Sequence, residues 1–115
     1  MAGGLGTRLE PFTKVLPKPL IPIDGKPIIN HIMESFKNSG SNTFYITLNY
    51  KSKILKSYFE ELKHKYKIFF LEEKKPLGTA GALFLLKNRI AINFFVTNSD
   101  IILNTDYIDL YNFHI

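Results

Sequence analysis

Strand-like and helix-like stretches alternate along this chain, and the strand-like ones are largely continuous in their apolar character rather than apolar at every second residue. Thr43 to Leu48 reads TFYITL, Tyr66 to Leu71 reads YKIFFL and Asn93 to Thr97 reads NFFVT, all rich in β-branched and aromatic residues. Between them, Ile28, Ile29, Ile32, Met33 and Phe36 recur at helical spacing, with Pro27 suited to a first turn and Gly40 to a stop. The spacing predicts a helix over Pro27 to Ser39 and a second over Ser52 to Leu62, with Ile54, Leu55, Tyr58, Phe59 and Leu62 on one face. A third helix is expected from Gly78 to Lys87 and a further one from Tyr107 to His114. Strands that alternate with helices and are apolar on both faces pair in parallel beneath helical cover, so the expected fold class is α/β, a parallel (mixed-edge) sheet flanked by helices.

At 115 residues the chain makes one domain. With no Cys it has no disulfide framework and no thiolate metal site. None of its apolar runs approaches the roughly 20 residues that cross a bilayer, and Met1-Ala2-Gly3-Gly4 lacks the basic start and apolar core of a signal peptide. A cytoplasmic protein with no membrane partner is the expectation. The formal net charge is +5, and between Lys51 and Lys75 eight Lys face four Glu. Such an excess is a footprint of nucleic acid in some proteins, but here the Lys residues fill the polar positions of amphipathic segments. Only two Arg are present, Arg8 and Arg89, and Arg is the usual fork for phosphate and base contacts. A small anionic ligand suits this balance better than nucleic acid.

In parallel α/β sheets, ligands bind beyond the carboxyl ends of the strands. That places the loops at Gly3 to Lys18, Asn49 to Tyr50, Glu72 to Thr79 and Asn98 to Asp100 on one rim. In the first loop, Gly3, Gly4 and Gly6 free backbone N–H groups to approach phosphate oxygens, and Arg8 follows to neutralise and fork a polyphosphate. The spacing is neither G-x-G-x-x-G nor a P-loop. Five prolines between Pro11 and Pro27 read as an extended, stiffened loop, and Pro17 and Pro19 hold Lys18 on a backbone with little freedom to lose. In the third loop the Gly78-Thr79-Ala80 entry to a helix leaves N–H groups and small surfaces for a flat base. Glu73 is acceptor-only and matches the two adjacent donors on the Watson–Crick edge of guanine; equally, it fits a surface carboxylate paired with a nearby Lys. Asp100, just past a strand, is placed either to coordinate a hard cation such as Mg²⁺ or to close a turn. Tyr50 is a candidate sugar-side contact. The three His residues have no metal-ligand spacing.

Residues Gly3 to Leu20 read G-G-x-G-T-R-L-x-P-x-T-x-x-x-P-K-P-L, and with E-E-K-K-P-L-G-T-A-G and N-S-D further on the chain resembles the sugar-1-phosphate nucleotidyltransferases, or nucleotide-sugar pyrophosphorylases. The resemblance covers essentially the entire chain. It is strongest to the guanylyltransferase and CBS-domain-linked branch, enzymes of bacterial surface-sugar pathways included. It implies a Rossmann-like nucleotidyltransferase fold and transfer of a nucleotidyl group from a nucleoside triphosphate, GTP favoured, to a sugar 1-phosphate of the mannose or N-acetylglucosamine type, with release of pyrophosphate. By this resemblance Ala2, Gly3, Gly4, Gly6 and Thr7 wrap the triphosphate, and Arg8 holds the leaving pyrophosphate. Lys18 bridges the α-phosphate and the sugar phosphate, Asp100 holds Mg²⁺, and Glu73, Pro76, Gly78, Thr79 and Ala80 receive the base and ribose. Ser99 stands where the family commonly has Gly. The resemblance further implies that residues 1–115 form a partial domain, with its first strand and its sugar-binding half outside it, that homo-oligomers are compatible with it, and that the 115 residues alone turn over little. A non-catalytic nucleotide-binding homologue and a basic nucleic-acid-binding module are the readings from other classes.

Overall fold

The computed structural model describes residues 16–49, 52–62, 66–78 and 80–115. Two antiparallel two-residue strands open the described chain, β1 (Pro22–Ile23) and β2 (Lys26–Pro27), followed by helix α1 (Ile28–Asn38) and strand β3 (Thr43–Leu48). Helix α2 (Ser52–Glu61), strand β4 (Lys67–Glu72), a 3-10 turn at Gly81–Leu86 and helix α3 (Tyr107–His114) complete it. Strands β3 and β4 pair in parallel, in register from Thr43↔Lys67 to Leu48↔Glu72. This is the βαβ arrangement expected from the sequence, with α2 as the crossover.

Helix α1 organises the interior. Its stripe of Ile28, Ile29, Ile32, Met33 and Phe36 is fully buried and divides between two clusters. Ile29 and Met33 pack with Leu20, Ile46, Leu48, Leu55 and Phe59, joining α1 to β3 and α2. Ile28, Ile32 and Phe36 pack with Tyr107 at the start of α3, with Ile21 and Phe95 against them. The Phe36 and Tyr107 rings stack at a centroid distance of 4.1 Å, and Phe95 meets Tyr107 edge-on at 5.5 Å. Asp106 caps α3 by accepting from the backbone N–H groups of Ile108 and Asp109.

Three expectations need correction. The proline-rich segment is not extended throughout, because Asp24 and Gly25 both take positive φ (50° and 75°) and close a tight hairpin between β1 and β2. An Asp-Gly pair is the preferred filling for that turn, since both central positions lie in the left-handed region. His31 donates from Nε2 to the Ile23 carbonyl at 2.8 Å and Lys26 pairs with Glu34 at 2.7 Å, so α1 holds the hairpin. The helix expected from Gly78 to Lys87 is a 3-10 turn of six residues, Gly81–Leu86. Ala80 (φ −118°, ψ −2°) precedes it, and Lys87 (φ −51°, ψ 128°) leaves helical geometry immediately after it. Finally, residues 93–97 make no strand ladder among the described residues. Residues 94–99 line a groove of about 160 Å³ together with residues 43–47 of β3 and with Ile29, Ile32, Met33 and Phe36 of α1.

Leu48, 1% exposed, sits where β3, α1 and α2 meet. Leu48→Ala is expected to cost about 2–5 kcal/mol in a urea titration, whereas Phe113→Ala, on a side chain 90% exposed, should change stability by less than about 0.5 kcal/mol. Equal effects would place the core elsewhere.

Candidate functional site

The site is built from two segments far apart in the chain. Pro17 is fully buried, Pro19 is buried, and a 3-10 turn at Lys18–Leu20 is closed by Leu20 N–H donating to the Pro17 carbonyl at 2.9 Å. The buried Leu20 anchors this turn in the α1–β3 cluster. The Lys18 backbone is therefore fixed on both sides, and its side chain is 30% exposed. It reaches Asp100, 82 residues away, and donates from Nζ to Oδ2. Asp100 follows buried Ser99 in the turn that ends the 94–99 segment. Ser99 has no positive φ, so this backbone does not require the glycine common in the family. Lys18 and Asp100 were each expected at the site from sequence; their direct contact was not, because no local signal links residues at such separation.

The second half of the rim is the loop after β4. Glu73 N–H donates to the Leu48 carbonyl at 2.8 Å, which extends the β3–β4 pairing by one bond and fixes the loop's start. One carboxylate oxygen of Glu73, Oε2, then accepts from Leu77 N–H at 3.2 Å and closes the loop on itself. The loop turns at Gly78, and Pro76, Gly78 and Ala80 are exposed on it. Ala80 begins the 3-10 turn, its carbonyl accepting from Leu83 N–H at 3.0 Å. Gly81 was not singled out from sequence, yet a Cβ there would lie 2.8 Å from Leu77 Cβ, so the loop closes only with glycine at this position. The last Gly of G-T-A-G was the available signal.

Beside this loop, Lys56 of α2 pairs with Glu72 and holds its carboxyl below the usual carboxylate range, the hydrogen bond and the charge acting together. That contribution is present at neutral pH and is lost as the pH falls through the lowered value. No hydrogen bond or ion pair among the described residues joins Glu73 to the Lys18–Asp100 pair. Ala2, Gly3, Gly4, Gly6, Thr7, Arg8, Tyr50 and Thr79 lie outside the described residues.

Two chemical capacities follow. Lys18 presents an ammonium from a firmly held backbone, suited to a phosphate oxygen. Asp100 is a lone carboxylate, and among the described residues no group of three or more His, Asp or Glu side chains stands ready to cage a metal ion. A lone carboxylate fits a hard cation that keeps most of its waters and takes further oxygens from substrate phosphates, as Mg²⁺ does. No helix among the described residues is long and apolar enough to cross a membrane.

A "Mannose-1-phosphate guanyltransferase" of Schizosaccharomyces pombe is 39% identical to this chain over 119 residues, and a "Probable mannose-1-phosphate guanylyltransferase 1" of Oryza sativa subsp. japonica is 37% identical over 120. Each alignment covers 99% of this chain but 33% of the relative, so the chain spans about a third of the length of the curated relatives it matches. Among solved structures, HddC from Yersinia pseudotuberculosis superposes with a TM-score of 0.84 at 34% identity, over 99% of this chain and 52% of that one, both alone and complexed with GMP-PN. The profile of the family described as "Nucleotidyl transferase" matches residues 1–115, from the glycine-rich opening through Lys18 to Asp100 and beyond, and the chain belongs to that family.

Proposed function

We propose that this chain is the nucleotide-binding part of a sugar-1-phosphate guanylyltransferase, which joins the guanylyl group of GTP to a hexose 1-phosphate of the mannose type and releases pyrophosphate. The observation that carries this reading is the meeting of Lys18 and Asp100 across 82 residues, the one residue suited to the α-phosphate and the other to its cation. The names of the relatives favour guanine as the base and mannose 1-phosphate as the acceptor.

The reaction is an in-line displacement. An oxygen of the sugar 1-phosphate attacks the α-phosphorus of GTP, a new P–O bond forms, and the bond to the pyrophosphate oxygen breaks. No protein nucleophile is needed, so the chain's task is alignment and charge neutralisation. Lys18 is assigned to the α-phosphate and the incoming sugar phosphate, where its ammonium offsets charge that builds during the displacement. Arg8 is assigned to the departing pyrophosphate and the Gly3–Gly6 loop to the triphosphate. Asp100 would hold Mg²⁺, which supplies Lewis-acid polarisation of phosphate oxygens and a template for the triphosphate. The loop from Glu73 to Ala80, with Pro76, Gly78 and Thr79, is assigned to the base and ribose. Glu73 keeps Oε1 for the two donors of guanine while Oε2 secures the loop.

In the full-length enzyme, Arg8→Ala and Lys18→Ala should each lower turnover by at least about a hundredfold, on the scale of losing one charge-stabilising group; near-wild-type rates of pyrophosphate release in both would sink the assignment. A thermal-melt series with GTP, UTP, dTTP, CTP and ATP checks the base. GTP should raise the melting point most, since a ligand binding only the folded state at about 100 times its Kd adds about 2.7 kcal/mol. Glu73→Gln replaces one acceptor by a donor and should erase the GTP preference; an unchanged ranking would show that Glu73 does not read the base.

A further inference from the structure

We propose that the Lys18–Asp100 ion pair is a placeholder, in which the Lys18 ammonium occupies the carboxylate that a divalent cation takes when nucleotide binds. The inference rests on the assignment of Asp100 to the cation. Its own content is that cation entry and release of Lys18 toward phosphate are a single exchange.

The geometry supports exchange rather than a permanent strut. Lys18 is held at its backbone by buried Pro17 and Pro19 and by core Leu20, and its side chain keeps 30% of its surface open to solvent. Asp100 has a side chain 26% exposed, and among the described residues Lys18 is its sole hydrogen-bonding and ion-pairing partner. Both side chains of the pair thus keep part of their surface open to solvent. An ammonium and a dication cannot share one carboxylate oxygen at contact distance without strong mutual repulsion. A dication on the same carboxylate weakens the hold on the ammonium, and in the proposed exchange Lys18 moves to the nearest new anion. A triphosphate that brings the cation also brings that anion, so the departing Lys18 has a new partner only when nucleotide is present. Cation alone gains Asp100 but strands Lys18. Cation and nucleotide therefore strengthen each other's binding, as linkage requires. In the free protein the same contact keeps Asp100 neutralised and Lys18 folded back, so the site's two charges are stored on each other.

Mn²⁺ binding to the full chain, without nucleotide, tests the exchange directly by calorimetry and by the electron paramagnetic resonance signal of free Mn²⁺. Lys18→Met removes the ammonium and keeps the stem, and it should bind Mn²⁺ at least about threefold more tightly than wild type. Lys18→Arg keeps the charge and should bind as weakly as wild type, which separates charge from any disturbance of folding. Lys18→Gln serves in its place if Lys18→Met does not reach a native circular dichroism spectrum. Asp100→Asn added to Lys18→Met should abolish the gain. Mn²⁺ binding by Lys18→Met that is no tighter than wild type, yet still lost with Asp100→Asn, overturns the exchange while the cation assignment stands. Binding that survives Asp100→Asn overturns the cation assignment itself.

Discussion

The structure depends on one helix with two working edges. Helix α1 buries Ile29 and Met33 against the segment that carries Leu20 and against β3, while Ile28, Ile32 and Phe36 hold Phe95 and Tyr107. Leu20 lies two residues after Lys18, and Phe95 lies five residues before Asp100. The same apolar stripe therefore fixes both segments whose charged residues meet at the rim. Burying a large aliphatic or aromatic side chain contributes about 1.5–3 kcal/mol, whereas a partly exposed ion pair contributes at most about 1 kcal/mol. The hydrophobic contacts decide where Lys18 and Asp100 stand, and the ion pair reports that placement rather than causing it.

That division suits a site whose chemistry is charge placement. Nucleotidyl transfer of the kind proposed needs cations held against phosphate oxygens during the displacement, and the firm hold on the Lys18 backbone between buried prolines limits the ordering that binding must still impose. The loop after β4 follows the same logic by other means. A backbone bond from Glu73 to Leu48 starts it, a carboxylate bond from Glu73 to Leu77 closes it, and Gly78 and Gly81 permit its turn and its close approach. Pro76, Gly78 and Ala80 are left exposed as a small, flat surface.

Much of this was legible before any coordinates. Helix α1, strand β3, helix α2, strand β4 and helix α3 fall within about one residue of their expected spans; the first four carry a hydrophobic period or a β-branched and aromatic run, and α3 starts at the Asp106 cap. The misreadings share a cause: local pattern was judged without its neighbours. Asp24-Gly25 carried a hairpin signal that five surrounding prolines obscured. The G-T-A-G run reads as a helix entry, but the segment forms only a 3-10 turn at Gly81–Leu86, bounded by Ala80 and by non-helical Lys87. NFFVT has strand composition, yet a ladder needs a partner, and across the groove from β3 none of the described residues supplies one. Of the site, Lys18, Asp100 and the Glu73–Ala80 loop were readable as residue types in fixed spacing. Their mutual geometry was not, since a contact across 82 residues leaves no trace in any window of the sequence.

The central claim is that Lys18 and Asp100 face a nucleoside triphosphate. A crystal structure of the chain with a non-hydrolysable GTP analogue and Mg²⁺ tests it most directly. The triphosphate is expected at this rim, with Lys18 Nζ on a phosphate oxygen, Asp100 on the cation side and guanine beside Glu73. Nucleotide bound elsewhere, with Lys18 still seated on Asp100, would contradict it.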